Sequence, residues 1–395
     1  MRITNILIKI IRLKKKIKIL RIITSLNPKY GGPSRATVES SLNLVKQGFE
    51  VHILTRDQSN SNFFKDKNVK VFNKGSYLKI YDFNLRLLFW FLKNRVNYEK
   101  IIVHGIWEFN TFLVRIFSKK QYYVFAHGQL DPFFATQKFK KIKKQIYWYL
   151  FERKNLLLSK ALILTSLIEK KLLDKTFVNT KGITKKVISY GVNPPKFSKK
   201  KVINLFYRRF PNLKNEKFLL FLGRFHQKKG CDDLIKAIKK VNDKGLNIKV
   251  LFVGPLNSYK TTLQMLSSKY KLDNNIFWSN MLLDDLKWGA INASSAMVLS
   301  SNGENFGVSL VESLSCSKPV LTTSKVGIHK EISIFKAGFV SKNNSTSFSK
   351  ILEKFTKLNK SSLKVMSANA LNCYNYNFNL LKSKNDLGKY LLKID

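Results

Sequence analysis

The chain has 395 residues, 44% of them apolar, which is enough for two or three cored domains and too apolar for a disordered chain. Three cysteines (Cys231, Cys316, Cys373) with no C-x-x-C pair exclude a disulfide scaffold and a cysteine zinc cluster. The 72 basic and 24 acidic residues leave a net charge of +48; 41 of the basic residues fall in 1–200, so the excess is not a tail.

In chain order, residues 1–17 are a basic lead-in, with Lys9, Arg12, Lys14, Lys15 and Lys16 interrupting an apolar stretch that lacks a small-residue cleavage site. Residues 18–24 (KILRIIT) read as a buried strand. A Gly-Gly-Pro turn follows, then a helix over 34–46 that Gly48 stops, and the next strand at 51–55. Further strand-like runs at 100–103, 122–126, 161–165 and 186–189 alternate with helical stretches. Residues 191–217 hold three prolines and a dense basic run, the mark of a domain boundary. The pattern restarts at 218–223 and continues with strands at 248–254, 276–278, 296–300 and 319–323. Strand alternating with helix predicts α/β architecture with parallel sheets: one Rossmann-like domain over 18–195 and a second over 196–375. Ligands of such domains sit at the carboxyl ends of the strands, here in a central cleft between the two.

The charge has two readings. Of the 72 basic residues 60 are Lys and 12 are Arg, whereas base reading and phosphate forking favour Arg, so no nucleic-acid partner is expected. An anionic membrane surface is the better polyanion. The longest apolar runs, such as 87–92, fall far short of the roughly 20 residues a spanning helix needs. A cytoplasmic protein is expected, with peripheral contact at the inner face of the membrane. Residues 138–154 (KFKKIKKQIYWYLFERK) place Phe139, Ile142, Ile146 and Leu150 at helical spacing among lysines, a basic amphipathic helix suited to that contact or to packing on a core.

The usual nucleotide motifs are missing: no G-x-G-x-x-G, no P-loop, no Asp-x-Asp and no His pair at ligand spacing, so no metal site is expected. Four clusters remain. Gly31 and Gly32 stand between the first strand and first helix, where backbone can approach an anion. Gly223 to Gly230 (GRFHQKKG) sets Arg224 and Lys229 at the end of a strand, two cations able to neutralise a diphosphate. Glu304, Asn305, Phe306, Gly307, Val308 and Glu312 run from a strand into a helix, pairing two acids in an acid-poor chain. His127-Gly128 follows the 122–126 strand, and His104-Gly105 has the same form after 100–103. Each cluster taken alone also reads as an ordinary turn or solvated charge.

Taken together and in order, over roughly 18–375, these clusters resemble the family 4 retaining glycosyltransferases of the GT-B fold, above all those of bacterial exopolysaccharide and O-antigen synthesis. The E-x7-E pair Glu304 and Glu312, the G-R-x4-K-G segment, Pro28 to Pro33 and His127-Gly128 carry the resemblance. It implies a nucleotide-sugar donor, UDP- or GDP-linked, used as substrate with no further cofactor, and a glycan or lipid-linked acceptor. Arg224 and Lys229 are then expected at the diphosphate, Glu304 at the donor sugar and Glu312 at the ribose. Asn305, Phe306, Gly307 and Val308 line sugar and phosphates, Gly31 and Gly32 approach the diphosphate, and His127 faces the reacting sugar. Residues 376–395 resemble the terminal helix that returns to the first domain. The sequence departs from the family pattern at Ser300-Ser301, at Asn305 and at Tyr190 to Asn193. The competing readings are a sugar-nucleotide epimerase of the same fold and a non-enzymatic polyanion-binding protein.

Overall fold

The computed structural model describes residues 16–30, 32–75, 83–118, 120–130, 138–189, 191–380 and 386–393. Gly31, most of the lead-in and Asp131-Pro132 lie outside them. The chain divides into two units, Met1–Gly191 with Asn385–Asp395, and Val192–Lys384.

The first unit is built on seven strands: β1 Lys18–Ile23, β2 Glu50–Thr55, β3 Val69–Asn73, β4 Lys100–His104, β5 Tyr122–Phe125, β6 Ala161–Leu164 and β7 Lys185–Val187. All pair in parallel, in the order β3-β2-β1-β4-β5-β6-β7. Continuous apolar runs suit strands covered on both faces. Ile19, Leu20, Ile22, Ile101, Val103 and Val124 are accordingly buried. One face packs Leu87, Phe91, Leu113 and Trp148; the other receives Leu44, Leu387 and Leu391. The short helix Leu387–Leu392 lies against the helix Gly32–Lys46, where Gln47 Nε2 donates to Asp386 Oδ2 at 2.7 Å.

The second unit carries β8 Phe218–Leu222, β9 Lys249–Val253, β10 Ile276–Ser279, β11 Ala296–Leu299, β12 Val320–Thr323 and β13 Gly338–Ser341. They form a parallel sheet ordered β10-β9-β8-β11-β12-β13, with Leu220, Phe221, Phe252 and Val298 in its core. A fully buried side chain of this size contributes about 1.5–3 kcal/mol by leaving water. In both units the strand order reverses once, between β1 and β4 and between β8 and β11. Helices leave such a point in opposite directions, so ligands of doubly wound sheets bind outside the strand ends there.

The sequence pattern misses two elements, β3 and β13. Both are short edge strands whose sequences, VKVFN and GFVS, interrupt the apolar run at Lys70 and Gly338, whereas the edge strands β7 and β10 are read from the sequence. In the 138–154 segment, the helix Lys138–Tyr147 runs on through a π-helical turn, Trp148–Glu152, into Arg153–Leu157. The extra backbone residue per turn rotates the helix face at Trp148, which is buried while Tyr149 and Leu150 are exposed.

Candidate active site

The second unit gathers most of the expected residues at its own switch point. β8 ends at Leu222; Gly223 and the exposed Arg224 follow, and a single 3-10 turn, Gln227–Lys229, leads to Gly230. β11 ends at Leu299 and passes into the loop carrying Glu304. The two loops are stitched together. Asn302 N–H and Ser301 Oγ both donate to the Lys228 carbonyl, at 2.8 Å each, and Ser300 Oγ donates to the Gly230 carbonyl at 2.6 Å. Glu304 is held from the other side: its N–H donates to the Lys325 carbonyl and its carbonyl accepts from Gly327 N–H. The result is a direct ion pair and hydrogen bond between Lys229 Nζ and Glu304 Oε2, both side chains about one-fifth exposed. Arg224, Lys228 and Lys229 also crowd His226, whose protonation is depressed by burial first and by these three charges next. The loop is cationic, as a diphosphate site requires.

Asn305 and Phe306 continue that loop. Phe306 is buried and meets Phe378 edge-on at 5.6 Å between centroids. Gly307, at φ +91°, caps the helix Val308–Ser315, so the chain turns into the helix at a residue without a Cβ. Val308 therefore stands at the helix N-terminus, the end that favours anions. Glu312 points from the same helix into a buried ion pair, its Oε1 2.9 Å from Lys287 Nζ. Lys287 is packed over the Trp288 ring at 4.6 Å.

In the first unit, Gly32 opens the helix Gly32–Lys46 and His127 stands two residues beyond the end of β5, beside the switch point. His127 is half-buried, with φ +49°. It is part of a chain of rings and a cation. Arg21 on β1, nearly inaccessible, directs Nε and Nη2 at His104 Nε2, at 3.1 and 2.9 Å. His104 Nδ1 lies 2.8 Å from His127 Nε2. Burial, with the Arg21 charge second, lowers the protonation of both histidines, that of His127 to about 3. Glu169, buried on the helix Leu167–Thr176, accepts from Gly128 N–H at 2.7 Å and so ties down the loop that carries His127.

Arg21 and Glu169 do not emerge from the sequence reading, and His104 emerges only as a weaker copy of His127. Signals existed for both: Arg21 is a charge inside an apolar strand run, and Ser166 to Glu169 is a capping box. Ser166 Oγ does accept from Glu169 N–H, but the Glu169 carboxylate turns to Thr165 and Gly128. Glu108 is a further miss, accepting from Thr24 Oγ1 at 2.5 Å and pairing with Arg56 at 3.1 Å at the ends of β1 and β2.

Two doubly wound parallel sheets in one chain, each with charged loops at its reversal, define the class: this is the GT-B fold, the fold of its solved neighbours. Residues 205–372, a span that contains Arg224, Lys229, Glu304 and Glu312, match the family model of glycosyl transferases group 1. The chain is 25% identical over 156 residues to CapM of Staphylococcus aureus, a capsular polysaccharide biosynthesis glycosyltransferase, covering 39% of this chain and 40% of CapM. It spans between 28 and 40% of the length of the curated relatives it matches. Sucrose-phosphate synthase of Thermosynechococcus elongatus superposes with a TM-score of 0.76 at 16% identity, over 96% of this chain and 98% of that one. HepE of Anabaena, solved with UDP and glucose, does so at 0.72 and 16%, over 95% and 98%.

Proposed function

We propose that this chain is a retaining, metal-independent hexosyltransferase. It takes the sugar of a UDP- or GDP-linked donor and passes it to a glycan or lipid-linked glycan acceptor in bacterial surface polysaccharide synthesis. The contact between Lys229 and Glu304 carries the reading: a cation for the departing diphosphate and a carboxylate for sugar hydroxyls stand on neighbouring loops at a switch point, within the region that matches glycosyl transferases group 1. The names of CapM and HepE support the polysaccharide role and the uridine donor.

In the reaction the anomeric carbon–phosphate oxygen bond breaks and the acceptor oxygen bonds to that carbon on the same face. The acceptor's proton leaves with the departing phosphate oxygen, so no protein nucleophile is assigned. Positive charge gathers on the sugar and negative charge on the diphosphate. Arg224, Lys229 and the N-terminus of Val308–Ser315 offset the second of these. Lys229 exchanges Glu304 for phosphate as the donor arrives, which frees the carboxylate to accept from sugar hydroxyls. Glu312, held by Lys287, receives the ribose.

Peripheral membrane contact belongs to the same reading, because a lipid-linked acceptor lies at a membrane surface. Ile142, Ile146, Tyr149 and Leu150, each more than half exposed, present an apolar band along a lysine-bearing helix. No helix among the described residues is long and apolar enough to cross a membrane.

The test is a panel of UDP, GDP and ADP in thermal unfolding. Nucleotide at about 100 times its Kd stabilises the folded chain by about 2.7 kcal/mol. Lys229→Met and Glu304→Gln are expected to leave the fold intact and to reduce transfer from a radiolabelled donor by about 100-fold or more. A chain that no nucleotide stabilises, or a Glu304→Gln variant of full activity, overturns the reading. Interconverted donor without transfer would mark an epimerase instead.

A further inference from the structure

We propose that Arg21 and His104 are positioning residues that lock His127 as a neutral imidazole with its proton on Nδ1, so that His127 serves sugar transfer by hydrogen bonding and moves no proton. The functional half rests on the proposed sugar transfer and on the expectation, drawn from the sequence resemblance, that His127 faces the reacting sugar; the tautomer itself rests on neither.

The argument is one of donors and acceptors. A guanidinium only donates. Two of its nitrogens reach His104 Nε2, at 3.1 and 2.9 Å, so that ring nitrogen holds a lone pair. A neutral imidazole with an accepting Nε2 carries its proton on Nδ1. His104 Nδ1 therefore donates, across 2.8 Å to His127 Nε2, with Thr37 Oγ1 as a longer second acceptor at 3.3 Å. His127 Nε2 must accept, and its one remaining proton sits on Nδ1. Taking up a second proton would force a hydrogen into the gap that the His104 proton already fills. Passing it on to His104 would set an imidazolium against the Arg21 guanidinium. Both routes of proton uptake are closed.

The surroundings hold this arrangement. Arg21 Nη1 donates to the Thr37 carbonyl and to the hydroxyls of Ser40 and Ser41, which pins the guanidinium plane. Phe125 stacks on both rings, at 5.1 Å from His104 and 5.6 Å from His127. Glu169, whose carboxylate accepts from Gly128 N–H, Thr165 N–H and Thr165 Oγ1, anchors the backbone next to His127. His127 holds a positive φ that residues with a side chain seldom adopt, and the Glu169 bond to the following Gly128 retains that turn. The depressed protonation of both histidines agrees with the geometry. A neutral donor also suits the chemistry: an imidazolium beside an oxocarbenium-like sugar would oppose the charge developing there.

The chain has five histidines, so long-range proton–nitrogen NMR can resolve each ring, with His127 assigned by its loss in a His127→Asn variant. His104 and His127 are expected to show protonated Nδ1 and bare Nε2, unchanged between about pH 5 and 8, where an ordinary histidine titrates. Titration of either ring in that range, or a proton on His127 Nε2, overturns the proposal, and neither result depends on transfer activity. His104→Phe keeps the stacking but removes the relay. It is expected to mix the His127 tautomers and to lower kcat about 100-fold with little change in donor KM, the cost of a displaced group. Arg21→Lys, which still donates to His104, is expected to restore the wild-type His127 signal and most of the activity, whereas Arg21→Met is not. Should Arg21→Met fail to fold, the wild-type spectrum still decides. A correct spectrum with a fully active His104→Phe variant sinks the functional half alone.

Discussion

A Cβ built on Gly230 would lie 2.1 Å from the carbonyl oxygen of Ser300, and Gly230 has φ +64°. No other residue fits, because backbone meets backbone there and neither can swing aside. This contact sets the spacing between the Lys229 loop and the Glu304 loop. Gly230→Ala is therefore expected to part the loops. The variant should lose about 2 kcal/mol of stability and, with it, the nucleotide-induced rise in Tm. Urea titration and the UDP panel check this; a variant that binds nucleotide as the parent does would show that the loop spacing is irrelevant to the site.

Lys287 and Glu312 form a buried ion pair in the second unit. Removing one partner strands a charge away from water. Lys287→Met is expected to destabilise by about 3 kcal/mol, and Lys287→Met with Glu312→Gln by much less. A double-mutant cycle in urea measures the coupling. Additive losses would mean that the pair is not what holds Glu312 in place.

Glu152 stands in the π-helical turn, fully buried; among the described residues its Oε1 has no partner, and its Oε2 accepts long bonds from Trp107, Thr111 and Asn155. Burial raises its pKa to about 7, against these weak bonds. A carboxyl raised in the folded state keeps its proton while the unfolded chain releases it. Its contribution is complete below the ordinary value of 4.5 and is lost as pH rises through about 7. Stability should therefore fall over that interval through this group. Glu152→Gln should flatten the fall, gaining up to about 3 kcal/mol at the alkaline end. Urea midpoints of both proteins from pH 4.5 to 8 test it; parallel curves would exclude Glu152 as the titrating group.

The exposed Ile142, Ile146 and Leu150 contribute little to folding. Replacing all three with Ser is expected to leave Tm within a degree or two. The same variant should co-sediment less with anionic vesicles at low salt, while neutral vesicles bind neither protein. Attraction that persists undiminished in the triple variant would assign binding to charge alone.

The alternation of apolar runs and helical periods made both sheets legible, because central strands of a parallel sheet are buried on two faces and so are mostly apolar, with Arg21 and His104 among the exceptions. β3 and β13 escaped because Lys70 and Gly338 break their apolar runs. The candidate residues close in sequence could be picked out too: Arg224 with Lys229 after one strand, and Glu304 with Glu312 on the loop and helix after another.

What composition and local pattern determined was the class: two α/β units, loops of the right chemistry at strand ends, and a basic surface. Those properties are written in neighbouring residues and survive any arrangement in space. Only the tertiary structure decided who meets whom: Lys229 with Glu304 across 75 residues, Lys287 with Glu312, and Arg21 with His104 across 83. Hydrogen bonds reach only about 3 Å, and strand order sets which distant loops come that close.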